Sequence, residues 1–271
     1  MPTATRKRNR FKSENVGLPL KIFSLDRSRR LCLTAPLMER ATTDQKVDPK
    51  AEQRHRYIVV EGPIGVGKTT LTRALSKRFS ARGIFEIVEE NPFLRNFYQD
   101  RNKFAFQTQL FFLLSRFKQQ QELFQQDLFS QVTVSDYLFA KDRIFASITL
   151  DANELALYER IYEMLGPRVM KPDLVIYLQA RQEVLLGRIK KRGREFERKF
   201  DEDYLSELST TYNDFFHRYD ETPLLIINTS DTDYVESEAN LNDLVKTINN
   251  TRSGTQYYQP IGTRIERERV P

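Results

Sequence analysis

The stretch "EGPIGVGKTT", residues 61–70, has the residue types and spacing that phosphate chemistry needs. It fits G-x-x-x-x-G-K-[ST]. In that pattern close-set glycines let backbone N–H groups fold around phosphate oxygens, and the start of the next helix adds its partial positive charge. The cradle is Gly62, Gly65, Val66, Gly67, Lys68, Thr69 and Thr70. Lys68 is expected to reach the outer phosphates of a nucleoside triphosphate, and Thr69 to place its hydroxyl on Mg²⁺. A carboxylate for that cation belongs at the end of a neighbouring strand, and Asp136, closing the run "QVTVSD", supplies it.

A hydroxyl that accepts a phosphoryl group wants a carboxylate beside it, as base or orienter. "FEIVEENPFLRNFY" offers Glu86, Glu89 and Glu90, and spacing alone does not choose among them. Next, "FAFQTQLFFLLSRFKQQQ" interrupts a run of Phe and Leu with Gln109 and Arg116, seven residues apart and so on one helix face. A polar pair on an apolar, aromatic helix suits a planar hydrogen-bonding ligand such as a nucleobase. Finally, "RIKKRGREFERK" gathers Arg188, Arg192 and Arg194 around Gly193. Such a run is usually a solvated face. Its position after the fourth expected strand suits a mobile lid, whose arginines meet the charge on a transferring phosphoryl group.

These residues must be held by elements, and the chain from Tyr57 onward supplies them. Short apolar runs at 57–61, 85–88, 131–135, 174–178 and 223–228 alternate with patterns of helical length at 68–82, 103–126, 153–165 and 181–192. Val- and Ile-rich strands alternating with helices predict an α/β fold, a doubly wound parallel sheet of five strands flanked by helices. In such sheets ligands sit outside the carboxyl ends of the strands, so the segment after the second strand points at the acceptor.

Composition sets the outer limits. The 271 residues suffice for one sizeable α/β domain with tails. A single cysteine, Cys32, excludes an intramolecular disulfide framework and fits a reducing interior. There is neither an apolar run of membrane-spanning length nor an N-terminal apolar segment of the secretory kind. Residues 1–56 carry 14 Lys and Arg against 6 Asp and Glu, so the net +6 sits in this leader and the rest sums to about −2. That weakens a nucleic-acid reading for the core and leaves it open for the leader. The expected organisation is a basic, mobile extension over 1–55, a catalytic domain over 56–251 and a polar C-terminal tail over 252–271. The Arg-rich start resembles a transit peptide, but the plainer readings, a disordered basic tail or a true start at Met38, are favoured.

In order and spacing, this set of motifs resembles the deoxynucleoside kinase family, closest to its bacterial deoxyadenosine/deoxyguanosine branch. The resemblance covers about residues 57–250. It implies a P-loop kinase fold with an arginine-rich lid, ATP as phosphoryl donor, Mg²⁺, and transfer to the 5′-hydroxyl of a deoxyribonucleoside in nucleotide salvage. It also implies a homodimer in the cytoplasm, or in mitochondria if the leader is a transit peptide. Residue by residue, it selects Glu86 as the base, although Ile87 stands where the family has proline. It matches Tyr98 to a sugar 3′-hydroxyl contact, Leu94 and Phe97 to pocket walls, and Gln109 and Arg116 to readers of the base. Asp142 is the partner of that arginine, Glu197 a lid acid near the 3′-hydroxyl, and Arg188, Arg192 and Arg194 the lid arginines. One departure stands out. Tyr137 follows Asp136 where the family usually has an arginine that braces the phosphates, so that role passes to the lid arginines or to Arg143, or is weaker.

Three rivals remain. A nucleoside monophosphate kinase of the thymidylate type would share the fold but needs an extra basic clamp near the acceptor. A regulatory GTPase should carry N-K-x-D, which is absent. A P-loop ATPase acting on nucleic acid would use the basic leader.

Overall fold

The computed structural model describes residues 55–126, 132–197, 201–231 and 237–258; nearly all of the expected leader and most of the expected tail lie outside them. The strands are β1 Tyr57–Glu61, β2 Arg82–Ile84, β3 Thr133–Ser135, β4 Leu174–Gln179, β5 Leu224–Asn228 and β6 Thr255–Tyr258. The helices are α1 Lys68–Arg78, α2 Leu94–Phe97, α3 Arg101–Gln126, α4 Lys141–Thr149, α5 Ala152–Leu165, α6 Gln182–Arg192, α7 Glu202–His217 and α8 Glu238–Asn250.

All strand pairs are parallel, in the order β2-β3-β1-β4-β5-β6. The central strands β1 and β4 are apolar up to their last residues, Glu61 and Gln179, because helices cover both faces. Ile58, Val60, Leu174, Ile176, Leu225 and Ile227 point to one layer, where Leu71 and Leu75 of α1, Leu185 and Ile189 of α6, and Leu244 and Ile248 of α8 meet them. Their alternates Val59, Val175, Tyr177, Leu224 and Ile226 point to the other, against Ile144 of α4 and Leu208, Tyr212 and Phe216 of α7. After β1 the chain turns to one side for β2 and β3, then to the other for β4 to β6. The phosphate loop therefore leaves the sheet at its switch point.

The structure corrects the strand count from five to six. Thr255–Tyr258, expected within a polar tail, pairs with β5 from Leu224↔Thr255 to Ile227↔Tyr258. As an edge strand its exposure alternates, and "TQYY" carries none of the Val and Ile that marked the buried strands. The second strand lies at 82–84 rather than 85–88. Past Ile84 the backbone leaves the ladder because the N–H of Glu86 donates to Asp136 Oδ1 at 2.8 Å. Accordingly α1 stops at Arg78 instead of running to 82. The other expected helices recur within two residues. The amphipathic helices α4, α7 and α8 had not been singled out.

Candidate active site

The cradle is a backbone structure before it is a set of side chains. Gly62 and Gly65 have φ of 151° and 85°, and a Cβ there would lie 2.4 Å from Leu178 O and 2.8 Å from Leu185 O. Only glycine lets the loop press against β4 and α6 in this way. Lys68 Nζ donates to Gly62 O at 2.6 Å and Pro63 O at 3.2 Å. Its pKa is lowered to about 8, chiefly by burial; Glu61 opposes that shift and nearby Lys141 adds to it. Glu61, fully buried at the end of β1, accepts from Gly62 N, Leu138 N and the Tyr212 hydroxyl at 2.8, 2.7 and 3.1 Å. It ties the phosphate loop to the loop after β3.

Thr69 Oγ1 donates to Asp136 Oδ2 at 2.6 Å, so the two expected cation ligands are adjacent. Burial raises the Asp136 carboxyl above its usual range. Oxygen from a hydroxyl and a carboxylate is the donor set that Mg²⁺ takes when phosphates supply the rest. Among the described residues no cluster of three or more His, Cys, Asp or Glu forms an all-protein metal cage.

Two cavities open at this end of the sheet. The first is lined by the cradle from Gly65 to Leu71 together with Arg188, Lys191 and Thr229. The second is lined by Glu86, Leu94, Phe97, Tyr98, Gln109, Arg116 and Glu197, with Phe112, Lys141 and Tyr204. They share Gly65, Lys68, Thr69, Arg192 and Arg194. Of the three candidate acids, Glu86 faces the second cavity. Glu89 is exposed and pairs with Arg194 at 2.6 Å, and Glu90 is exposed as well.

Glu86 sits between two cations. Arg116 donates to Oε1 through Nε at 2.8 Å and through Nη2, and Lys141 Nζ donates to Oε2 at 2.7 Å. Burial alone would raise the carboxyl, but Arg116 and Lys141 outweigh it and hold Glu86 well below the usual carboxylate range. Through Nη1, Arg116 also meets Asp142, which is fully buried and behind the cavity wall rather than in it. Gln109 donates its amide N–H to Thr149 Oγ1 at 3.2 Å, while the Thr149 hydroxyl donates to Phe145 O at 2.7 Å.

Residues 58–252 match the deoxynucleoside kinase family. The chain belongs to that family. It is 40% identical over 189 residues to deoxyguanosine kinase of Bacillus subtilis, covering 69% of this chain and 91% of that one. It is 32% identical over 203 residues to deoxyadenosine/deoxycytidine kinase of the same organism, covering 72% and 92%. Deoxyadenosine kinase from M. mycoides, solved with bound dCTP, superposes with a TM-score of 0.63 at 26% identity, covering 72% of this chain and 99% of that one. The P-loop kinase fold, phosphoryl transfer from ATP and a deoxynucleoside acceptor come with membership.

In the kinase the lid arginines divide. Arg192 and Arg194 line both cavities, and Arg192 holds Glu197 through Nη2 at 2.6 Å and Nε at 3.2 Å. Arg188 lines only the first; its guanidinium donates to Val66 O at 3.1 Å and to Thr229 O at 2.7 Å, bracing α6 against the cradle. Tyr98 stacks on Phe196 with ring centroids 5.6 Å apart, which joins the end of α2 to the segment after α6. Sequence reasoning missed Glu61, Lys141 and Thr149. A weak signal was present for Glu61, an acid ending an apolar strand just before the glycines. Lys141 stands next to Asp142 in "AKDR" but had no partner visible from spacing.

Proposed function

We propose that this kinase transfers the γ-phosphoryl group of ATP to the 5′-hydroxyl of deoxyribonucleosides, with purine deoxynucleosides preferred, in nucleotide salvage. The observation that carries this is the meeting of the two cavities at Lys68, Thr69, Arg192 and Arg194, with Glu86 facing the junction from the acceptor side. The triphosphate lies in the glycine cradle, and Lys68 and the two lid arginines meet the charge that spreads over the migrating group. Mg²⁺ held by Thr69 and Asp136 supplies charge neutralisation between the outer phosphates when bound. Glu86, kept ionised by its two cations, accepts a hydrogen bond from the 5′-hydroxyl and aims it. So acidic a carboxylate suits phosphoryl transfer, where the proton leaves late and positioning matters more than basicity.

On the acceptor side, Tyr98 and Glu197 address the sugar, and Leu94 and Phe97 the walls. Thr149 takes the amide N–H of Gln109, so the amide oxygen is left to accept from a base edge bearing N–H, as adenine and guanine do. One Bacillus relative is named for deoxyguanosine alone, in line with this preference, whereas the other is named for deoxyadenosine together with the pyrimidine deoxycytidine. Arg95, the one basic residue of the 86–98 segment, is exposed and pairs with Glu195 at 3.3 Å, so this segment offers no extra basic clamp for a monophosphate. We also propose a homodimer that covers the exposed Leu114 of α3 and Leu157 and Met164 of α5, checked by light scattering. Among the described residues no helix is long and apolar enough to cross a membrane. The bacterial relatives and the single cysteine support a cytoplasmic location, against a mitochondrial one if the leader directs import; fractionation decides.

The test is transfer from radiolabelled ATP across the four deoxyribonucleosides and their 5′-monophosphates. Labelled monophosphates from deoxyadenosine and deoxyguanosine are expected. Turnover of monophosphates without turnover of nucleosides would overturn the reading.

A further inference from the structure

The cation that the family usually carries next to Asp136 is replaced by Tyr137, and that side chain lies fully buried among Tyr57, Val59 and Leu123. Arg143, the nearest arginine in sequence, points to the surface and pairs with Glu159 at 3.0 Å. Four residues beyond Tyr137, at the first position of α4, Lys141 is 2% exposed and lines the acceptor cavity.

We propose that Lys141 is the positioning residue for Glu86, fixing the carboxylate oxygen that faces the 5′-hydroxyl and supplying the positive charge that position 137 lacks. The inference rests on the kinase reading above. Arg116 places two of its N–H donors, from Nε and Nη2, on Oε1 and leaves Oε2 unheld from that side. The main chain is pinned separately, by Glu86 N on Asp136. The remaining freedom, rotation of the carboxylate about its last bond, is removed by Lys141 Nζ on Oε2 at 2.7 Å. Oε2 then keeps one lone pair for the incoming hydroxyl. An ammonium has three N–H groups, so the one that holds Oε2 can also donate to a phosphoryl oxygen entering from the Lys68 side. The two ammonium groups are close enough that Lys141 contributes to the lowered pKa of Lys68.

The experiment compares wild type, Lys141→Met and Lys141→Arg in steady-state assays with deoxyguanosine and ATP, using the rise in melting temperature with ATP as the control for folding. For Lys141→Met we expect kcat to fall by ~10²-fold, with both KM values within about threefold of wild type. Lys141→Arg should recover at least about tenfold of that loss, because charge returns while the fork cannot reproduce the point contact. A kcat for Lys141→Met within about threefold of wild type overturns the proposal, as does a loss carried mainly by KM or one that arginine does not restore. Should Lys141→Met not fold, Lys141→Arg decides: kcat reduced about three- to tenfold at unchanged KM supports the role, and wild-type or absent activity overturns it. Wild type that turns over no deoxynucleoside would instead sink the kinase reading itself.

Discussion

Lys68 lines both cavities and Glu86 only the second, and the consequences of losing each differ. Lys68→Met removes the charge that accompanies the migrating phosphoryl group, so transfer should fall by at least ~10²-fold in a labelled-ATP assay. Activity near wild type would remove this loop from the chemistry. Glu86→Gln keeps an acceptor for the hydroxyl but leaves Arg116 and Lys141 facing a neutral amide in a buried site. Nucleoside binding, followed by calorimetry, should persist while kcat drops sharply. The melting temperature should fall too, since removing one member of a buried charge cluster costs about 3–5 kcal/mol. Glu89→Gln and Glu90→Gln, both exposed, should behave as wild type; damage there instead would mean that the wrong acid has been assigned. At this scale legibility follows the kind of constraint. The cradle was readable because backbone approach to phosphate fixes glycine spacing along one segment. Lys141, Glu61 and Thr149 were not, because each acts through a partner that the fold brings from another segment: Glu86 from 55 positions away, Leu138 from 77 and Gln109 from 40.

Helix α3 places two polar residues of one face in different surroundings. Gln109 and Arg116 share a face, and both were expected to read the base. Both line the second cavity, but their partners differ: Gln109 reaches Thr149 at the end of α4, whereas the Arg116 guanidinium bonds Glu86 and Asp142. Gln109→Leu should therefore raise KM for deoxyadenosine and deoxyguanosine by about ten- to a hundredfold, the cost of about 1–3 kcal/mol for a lost polar contact. The KM for ATP should hold. A parallel rise for ATP, or no rise at all, would show that this residue does not meet the base. Arg116→Leu is a different experiment, because it strands two buried carboxylates and should strike kcat and stability together. Elements were legible where packing imposes one pattern: buried strands as apolar runs, long helices as sustained periodicity. They were missed or displaced where tertiary contacts replace that pattern, as at Glu86, whose N–H leaves the ladder for Asp136, and at the polar edge strand β6.

The charge of the whole chain and the charge of its kinase domain have opposite signs, which makes the leader separable in principle. The sheet is anchored downstream of residue 50. His55 Nε2 bonds to Ile248 O at 3.1 Å, and the N–H groups of Arg56 and Tyr57 meet Asp173 Oδ2 at 2.8 and 2.9 Å. The family match begins at residue 58. A chain lacking residues 1–50 keeps every one of these bonds. It loses 12 Lys and Arg with 5 Asp and Glu, so the net charge moves from +6 to about −1. Nucleoside phosphorylation should be unchanged, and the melting temperature should stay within about 2 °C of the full chain. Binding to DNA or heparin at low salt should go the other way, present in the full chain and lost on trimming, because nonspecific polyanion affinity scales with the cations that neutralise phosphates. Calorimetry and a salt-dependent retention assay on the two forms separate these effects. If trimming lowers the melting temperature by more than about 5 °C, the leader contributes stability to the domain, and the boundary near residue 55 is wrong. If polyanion binding survives trimming, the basic surface belongs to the kinase domain despite its net charge, and the lid arginines become the first place to look.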